Sequence, residues 1–104
     1  MSVLALIIPI AANASTGEEL WAKHCKKCHG TVGAGDTPMG KKLQIKDYTK
    51  AEAQAAVTDE AAKEAILNGK KTEAGKLAMF AFAKKLSEEE IDLLIAHLRS
   101  LKAE

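Results

Sequence analysis

Cys25-Lys26-Lys27-Cys28-His29 constrains this chain more than any other stretch. In a helical turn Cys25, Cys28 and His29 stand at i, i+3 and i+4, so two thiols and an imidazole leave the backbone on one face. Such a face can grip one object from a single side. Each thiol can add across a porphyrin vinyl group to form a thioether, and the imidazole beside the second thiol can ligate the iron, so the spacing reads as a c-type haem attachment. Three other uses of the same residues fit less well. A thioredoxin-like redox pair shares the Cys-x-x-Cys spacing but needs a preceding strand in a βαβ pattern, and Gly17 to His24 is an amphipathic run instead. A structural zinc site needs four ligands; with two cysteines in the chain, the others would have to come from His24, His29, His97 or a carboxylate in no recognised spacing. A disulfide between Cys25 and Cys28 would close too small a loop to constrain the unfolded chain much.

The 104 residues make one domain with room for only a modest core, which a bound haem would enlarge. Fifteen Lys plus Arg stand against fourteen Asp plus Glu, a balance that argues against nucleic-acid binding and against a polybasic membrane anchor. Met1 to Ala14 reads as a separate piece. Val3 to Ala12 is uncharged, apolar, interrupted by Pro9 and too short to span a bilayer, and Ala12-Asn13-Ala14 is a small-x-small cleavage site. No Lys or Arg precedes the apolar run. That missing charge counts against a signal peptide and leaves open a true start further upstream or a non-secreted apolar arm; on the apolar run and the cleavage site, residues 1–14 are read as a secretory signal peptide and residues 15–104 as the folded domain, with no transmembrane segment in the mature chain. Export agrees with covalent haem attachment to thiols, so the predicted location is periplasmic or otherwise exported.

Along the domain, helix signals are strong and strand signals weak. Ser15 or Thr16 can cap a first helix with Glu18 and Glu19 in its opening turn, and Gly17, Leu20, Trp21, His24 and Cys25 recur at helical spacing. Gly17 is a poor helix former, and its use is to let another helix cross close to the backbone. Gly30 to Gly40 reads as a loop; no strand leads into it and no lysine-hydroxyl pair closes it as in a P-loop. Lys41 to Tyr48 is polar and unperiodic. Thr49 with Glu52 predicts a short helix over 50–56, and Thr58 with Asp59 and Glu60 opens another, with inner residues Ala62, Ala65 and Ile66 and a stop at Asn68-Gly69. Ser87-x-x-Glu90 caps the last helix, whose stripe is Ile91, Leu94, Ile95, Leu98 and Leu101, with Arg99 and Lys102 at the end where positive charge suits the dipole.

The pattern Gly17-x-x-x-Trp21-x-x-x-Cys25-x-x-Cys28-His29-Gly30 resembles the start of a class I cytochrome c, and the likeness runs from about Gly17 to Leu101. The resemblance implies an all-α class I cytochrome c fold, three to five helices around one covalently bound haem c and no sheet. It makes Cys25 and Cys28 the covalent anchors and His29 one axial iron ligand. The other axial ligand is then Met79, in Met79-Phe80-Ala81-Phe82, where Phe80 replaces the commoner Pro. Met39 is the competing thioether, ten residues after His29 and without the family context, and core filling is the plain alternative use of Met79. The same likeness makes the Pro38 carbonyl an acceptor for the second imidazole N–H of the proximal histidine, and gives Tyr48 either a contact to a haem propionate or an ordinary half-buried place. It also has the last helix cross the first near Gly17 and Trp21. His97 stands where relatives usually carry an aromatic residue and reads as a packing residue or a partly exposed helix histidine, not a ligand, and His24 leaves the first helix at a different angle from Cys25.

What the resemblance implies about function is electron transfer by a His/Met-ligated haem in a monomer that is not an enzyme, moving single electrons between a reductase and an oxidase that dock at the haem edge. Lys23, Lys26 and Lys27 beside the attachment motif and Lys76, Lys84 and Lys85 beside Met79 would rim that edge with positive charge. Two alternatives remain at this stage. One is the electron-accepting subunit of a larger dehydrogenase, and the other is a peroxidase-like or gas-binding protein with an open iron, if Met79 is not bound.

Overall fold

Helix starts in this chain are written in short polar side chains, and the computed structural model, which describes residues 16–103, follows them closely. Thr16 caps α1 (Gly17–His24): its hydroxyl accepts from the Glu19 amide while the Glu19 carboxylate accepts from the Thr16 amide, satisfying two donors that a helix end leaves orphaned. Cys25 interrupts the ladder for one residue, and α2 (Lys26–His29) follows. Next come α3 (Pro38–Leu43), α4 (Ala51–Ala56) and α5 (Asp59–Asn68), the last capped by Thr58 and closed at Gly69 with φ 73°. A two-stranded antiparallel ribbon, β1 (Lys70–Lys71) and β2 (Leu77–Met79), precedes α6 (Glu88–Ser100), which carries the Ser87–Glu90 capping box. The expected signal peptide, residues 1–14, lies outside the described residues.

The helical stripes meet where their spacing predicts. Leu20 and Trp21 from α1, Ala62 and Ile66 from α5, and Ile91, Leu94, Ile95 and Leu98 from α6 are buried together with Cys25, Phe82 and Leu86. Ile91 and Leu94 are the most deeply enclosed, at 1% and 2% exposure. Gly17 makes this crossing possible: a Cβ there would lie 2.6 Å from the Leu93 carbonyl oxygen and 3.0 Å from the His97 Cβ. One turn further on, the Trp21 and His97 rings meet with centroids 5.4 Å apart, so His97 is a packing residue as expected.

The structure departs from the sequence reading in three places. First, there are six helical segments among the described residues: the motif helix is split at Cys25, and α3 occupies a stretch read as loop and unperiodic chain. The signal for α3 was present as Thr37-Pro38, an N-cap followed by a proline whose missing N–H costs nothing at the first helical position. Second, the ribbon was not expected; its strands are two and three residues long, too short for alternation to be read, and the turn between them uses Gly75 at φ 81°. Third, Thr49 does not cap α4. Its amide and hydroxyl both donate to Asp47 Oδ1, at 2.9 and 2.5 Å, and the N-cap position falls to Lys50, whose side chain makes no capping hydrogen bond.

The α1–α6 crossing yields the first expected outcome. Gly17→Val adds branched bulk against a backbone carbonyl without a gain in helix propensity, so stability should fall by about 1–3 kcal/mol. At about 4–8 °C per kcal/mol for a domain of this size, calorimetry of the holoprotein should resolve it; an unchanged midpoint would mean that the two helices are not in backbone contact.

Candidate functional site

The turn that carries the thiols is held from both sides by backbone and by small polar groups. The amides of Cys28 and His29 both donate to the Cys25 carbonyl, at 3.2 and 2.9 Å, which stacks the three expected residues on one turn. Gly30 then leaves the helix at φ 88°, and its carbonyl accepts the buried Trp21 indole N–H at 2.8 Å. The Gly35 amide donates to the His29 carbonyl at 2.8 Å, and the Thr37 hydroxyl donates to the Cys28 carbonyl at 2.5 Å while accepting from the Gly40 amide. Gly40 must be glycine here, because a Cβ would run into the carbonyl oxygens of Gly35 and Cys28. Loop and turn are therefore one rigid unit, and Thr37 and Gly40 belong to it although the sequence reading gave them no role.

Burial sets the chemistry of the donors. Cys25 is buried, and desolvation, with a smaller contribution from Cys28, pushes its thiol up to about 12. Burial also lowers the pKa of His29, so the imidazole is neutral at neutral pH and keeps a lone pair for a metal. The His29 ring is flanked by Trp21 at 5.5 Å and by Tyr48 at 6.2 Å between centroids. Its Nδ1 is buried without a hydrogen-bond partner. The expected bond to the Pro38 carbonyl is therefore not formed. Pro38 is the first residue of α3 and exposed, and a carbonyl at that position points along the helix axis toward the amide four residues on.

Met79 is half-buried on β2 and packs against the same core cluster that contains Cys25. The segment after it is tied to α5 through the Phe82 amide, which donates to the Ile66 carbonyl at 2.8 Å. Cys25, Cys28 and His29 thus share one turn. Met39 is 42% exposed on α3. His24 turns edge-on to Phe82, with ring centroids 5.5 Å apart. Tyr48 is half-buried against the core and against His29. The sequence reading missed Gln54 and gave Arg99 only a helix-end role; both lie behind Tyr48, joined by bonds that no local motif announces.

A helical domain built around such a turn is the architecture of a c-type cytochrome. The family model described as "Cytochrome C oxidase, cbb3-type, subunit III" matches residues 12–98. Among solved structures, the KustC0563 c-type cytochrome superposes with a TM-score of 0.72 at 35% identity, covering 85% of this chain and 99% of that one. A mutant of the same KustC0563 protein gives a TM-score of 0.69 at 35% identity, covering 85% of this chain and 100% of that one. No significant match was found among curated proteins. The chain belongs to this cytochrome family, and it is a small monohaem c-type cytochrome with the class I fold and a covalently bound haem c. The residues at the turn fit that group: two free cysteines side by side on a turn, and a neutral histidine with an orphaned buried ring nitrogen.

The unequal burial of the two thiols is testable on the haem-free chain. Because the thiolate is the reactive form, iodoacetamide at neutral pH should label half-buried Cys28 well before Cys25, with Cys25 reacting only under strongly alkaline or unfolding conditions. Peptide mass mapping over time would show it; equal labelling rates would contradict the burial of Cys25.

Proposed function

We propose that this cytochrome is a single-electron carrier whose haem is bonded covalently to Cys25 and Cys28 and ligated axially by His29 and Met79. The observation that carries the reading is the single turn on which Cys25, Cys28 and His29 stand, backed by the indole of Trp21. A bound haem would supply one-electron Fe(III)/Fe(II) chemistry, and His29 and Met79 would hold its iron so that its coordination changes little between the two states. His29 contributes a neutral imidazole whose orientation is restricted by Trp21 and Tyr48. Met79 contributes a soft thioether that favours the reduced state, on a segment anchored to α5. The apolar residues around them keep water from the site, which also raises the potential.

Export and partners follow from the same reading. Residues 1–14 act as a signal peptide, the mature chain starts at Ser15, and the carrier works in the periplasm or an equivalent compartment as a monomer between a reductase and an oxidase. No helix among the described residues is long and apolar enough to cross a membrane. Lys23, Lys26, Lys27, Lys76, Lys84 and Lys85 are all exposed, and Phe80, 64% exposed, offers an apolar contact among them. Electron-transfer rates to an acidic partner should accordingly fall as salt rises, and a flat dependence would remove the steering role of these lysines.

Two experiments test the core of the reading. The intact mass of the exported protein should equal the chain from Ser15 plus one haem, and haem extractable by acid-acetone would rule out the thioethers. Met79→Ala should abolish the near-infrared Met-to-iron band of the ferric protein, lower the potential and let carbon monoxide bind the reduced form, while Met39→Ala leaves all three unchanged. The opposite pattern would transfer the axial role to Met39.

A further inference from the structure

Gln54 is 7% exposed and is the one buried polar side chain of the described core. Burying a carboxamide is costly unless each of its groups is bonded, and here each is. The Gln54 amide nitrogen donates to the Tyr48 carbonyl and to the Leu98 carbonyl, both at 2.7 Å. Its side-chain oxygen accepts from Arg99 Nη1 at 3.0 Å, and the same Nη1 donates to the Gln54 main-chain carbonyl at 2.6 Å. Arg99 continues to the Val57 carbonyl at 2.6 Å and to Asp59 Oδ1 at 2.9 Å. One guanidinium and one amide thus join α6, α4, the start of α5 and the strap that ends at Tyr48.

An apolar residue would fill position 54 without any desolvation cost, so the network's use lies in where it places its partners. The partner that matters is Tyr48. On its other side the Tyr48 amide donates to the Gly33 carbonyl at 2.8 Å, which ties the strap to the loop leaving the Cys-x-x-Cys-His turn. The Tyr48 backbone is pinned from both directions, and its ring is held 6.2 Å from that of His29. We propose that Gln54 and Arg99 are positioning residues of the haem site: they hold Tyr48 against His29, keep water from that side of the iron, and so raise the midpoint potential. This rests on His29 as an axial ligand and is independent of the assignment of Met79.

The test uses the holoprotein, in which Tyr48 is the single tyrosine, so nitration by tetranitromethane reports on it alone. Gln54→Leu removes the side chain's hydrogen bond to the Tyr48 carbonyl, which raises the population of the opened strap by roughly fivefold. Nitration should accelerate to a similar degree, and the midpoint potential should fall as water reaches the His29 side and favours the ferric charge. Arg99→Lys keeps the positive charge but cannot span four acceptors, so it should move both readouts in the same direction; it also serves if Gln54→Leu does not fold. Asp59→Asn, at the exposed end of the network, should change neither. Combining Gln54→Leu with Tyr48→Ala should lower the potential no further than Tyr48→Ala alone. Unchanged nitration, or a potential shift that adds to that of Tyr48→Ala, overturns the proposal. A potential that stays put while nitration accelerates also overturns it, because the pair would then serve packing only. Failure of the underlying reading looks different: the unmodified protein would lack the low-spin spectrum of a histidine-ligated haem, whatever the nitration rates.

Discussion

The backbone contact between α1 and α6 at Gly17 supports everything downstream of it. With no side chain at that position the helices approach until Leu93 and His97 lie against the α1 backbone, and this depth brings Trp21 into the core. Trp21 then has an indole N–H to satisfy, and it spends it on the Gly30 carbonyl, the point where the chain leaves the Cys-x-x-Cys-His turn. The orientation of His29 is thus linked, through one aromatic ring, to a helix that begins some sixty residues later in the chain. A shallower crossing would leave the turn without its rear wall.

Around that axis the site is walled by groups of opposite character. Trp21 on one side and Tyr48 on another present rings to His29, and the thiol of Cys25 sits in the apolar core. Behind Tyr48 the structure switches to the only polar interior it has among the described residues, where Gln54 and Arg99 bond four backbone carbonyls, those of Tyr48, Gln54, Val57 and Leu98. Apolar burial favours the neutral imidazole and a dry surrounding for the metal, whereas the hydrogen-bonded clamp has directionality that burial lacks. Pairing the two lets a chain with a modest core hold one loop in one place.

Legibility in the sequence tracked the range of the interaction. Caps were readable because Thr16 with Glu19, Thr58 with Ala61, and Ser87 with Glu90 bond within three residues. The turn at Cys25 was readable because its two thiols and its imidazole lie within five residues of each other. Thr49 failed as a cap because Asp47, two residues away, offered its hydroxyl a competing acceptor, and Thr37-Pro38 was overlooked because a glycine-rich surround obscured a valid helix start. The ribbon between Lys70 and Met79 had too few residues for any period.

The sequence by itself determined the helical class, the order of the main helices, the apolar stripes and the cluster of two thiols and an imidazole, all of which depend on spacing along one helix or one turn. Only the tertiary structure decided that Pro38 opens a helix instead of bonding His29, that Tyr48 stands beside the imidazole, and that Gln54 and Arg99 hold it there. Those partners are separated by many residues, Gln54 and Arg99 by 45. Nothing in a local pattern records which distant carbonyl a buried amide will meet; that is settled when the helices pack and each buried polar group must find a partner.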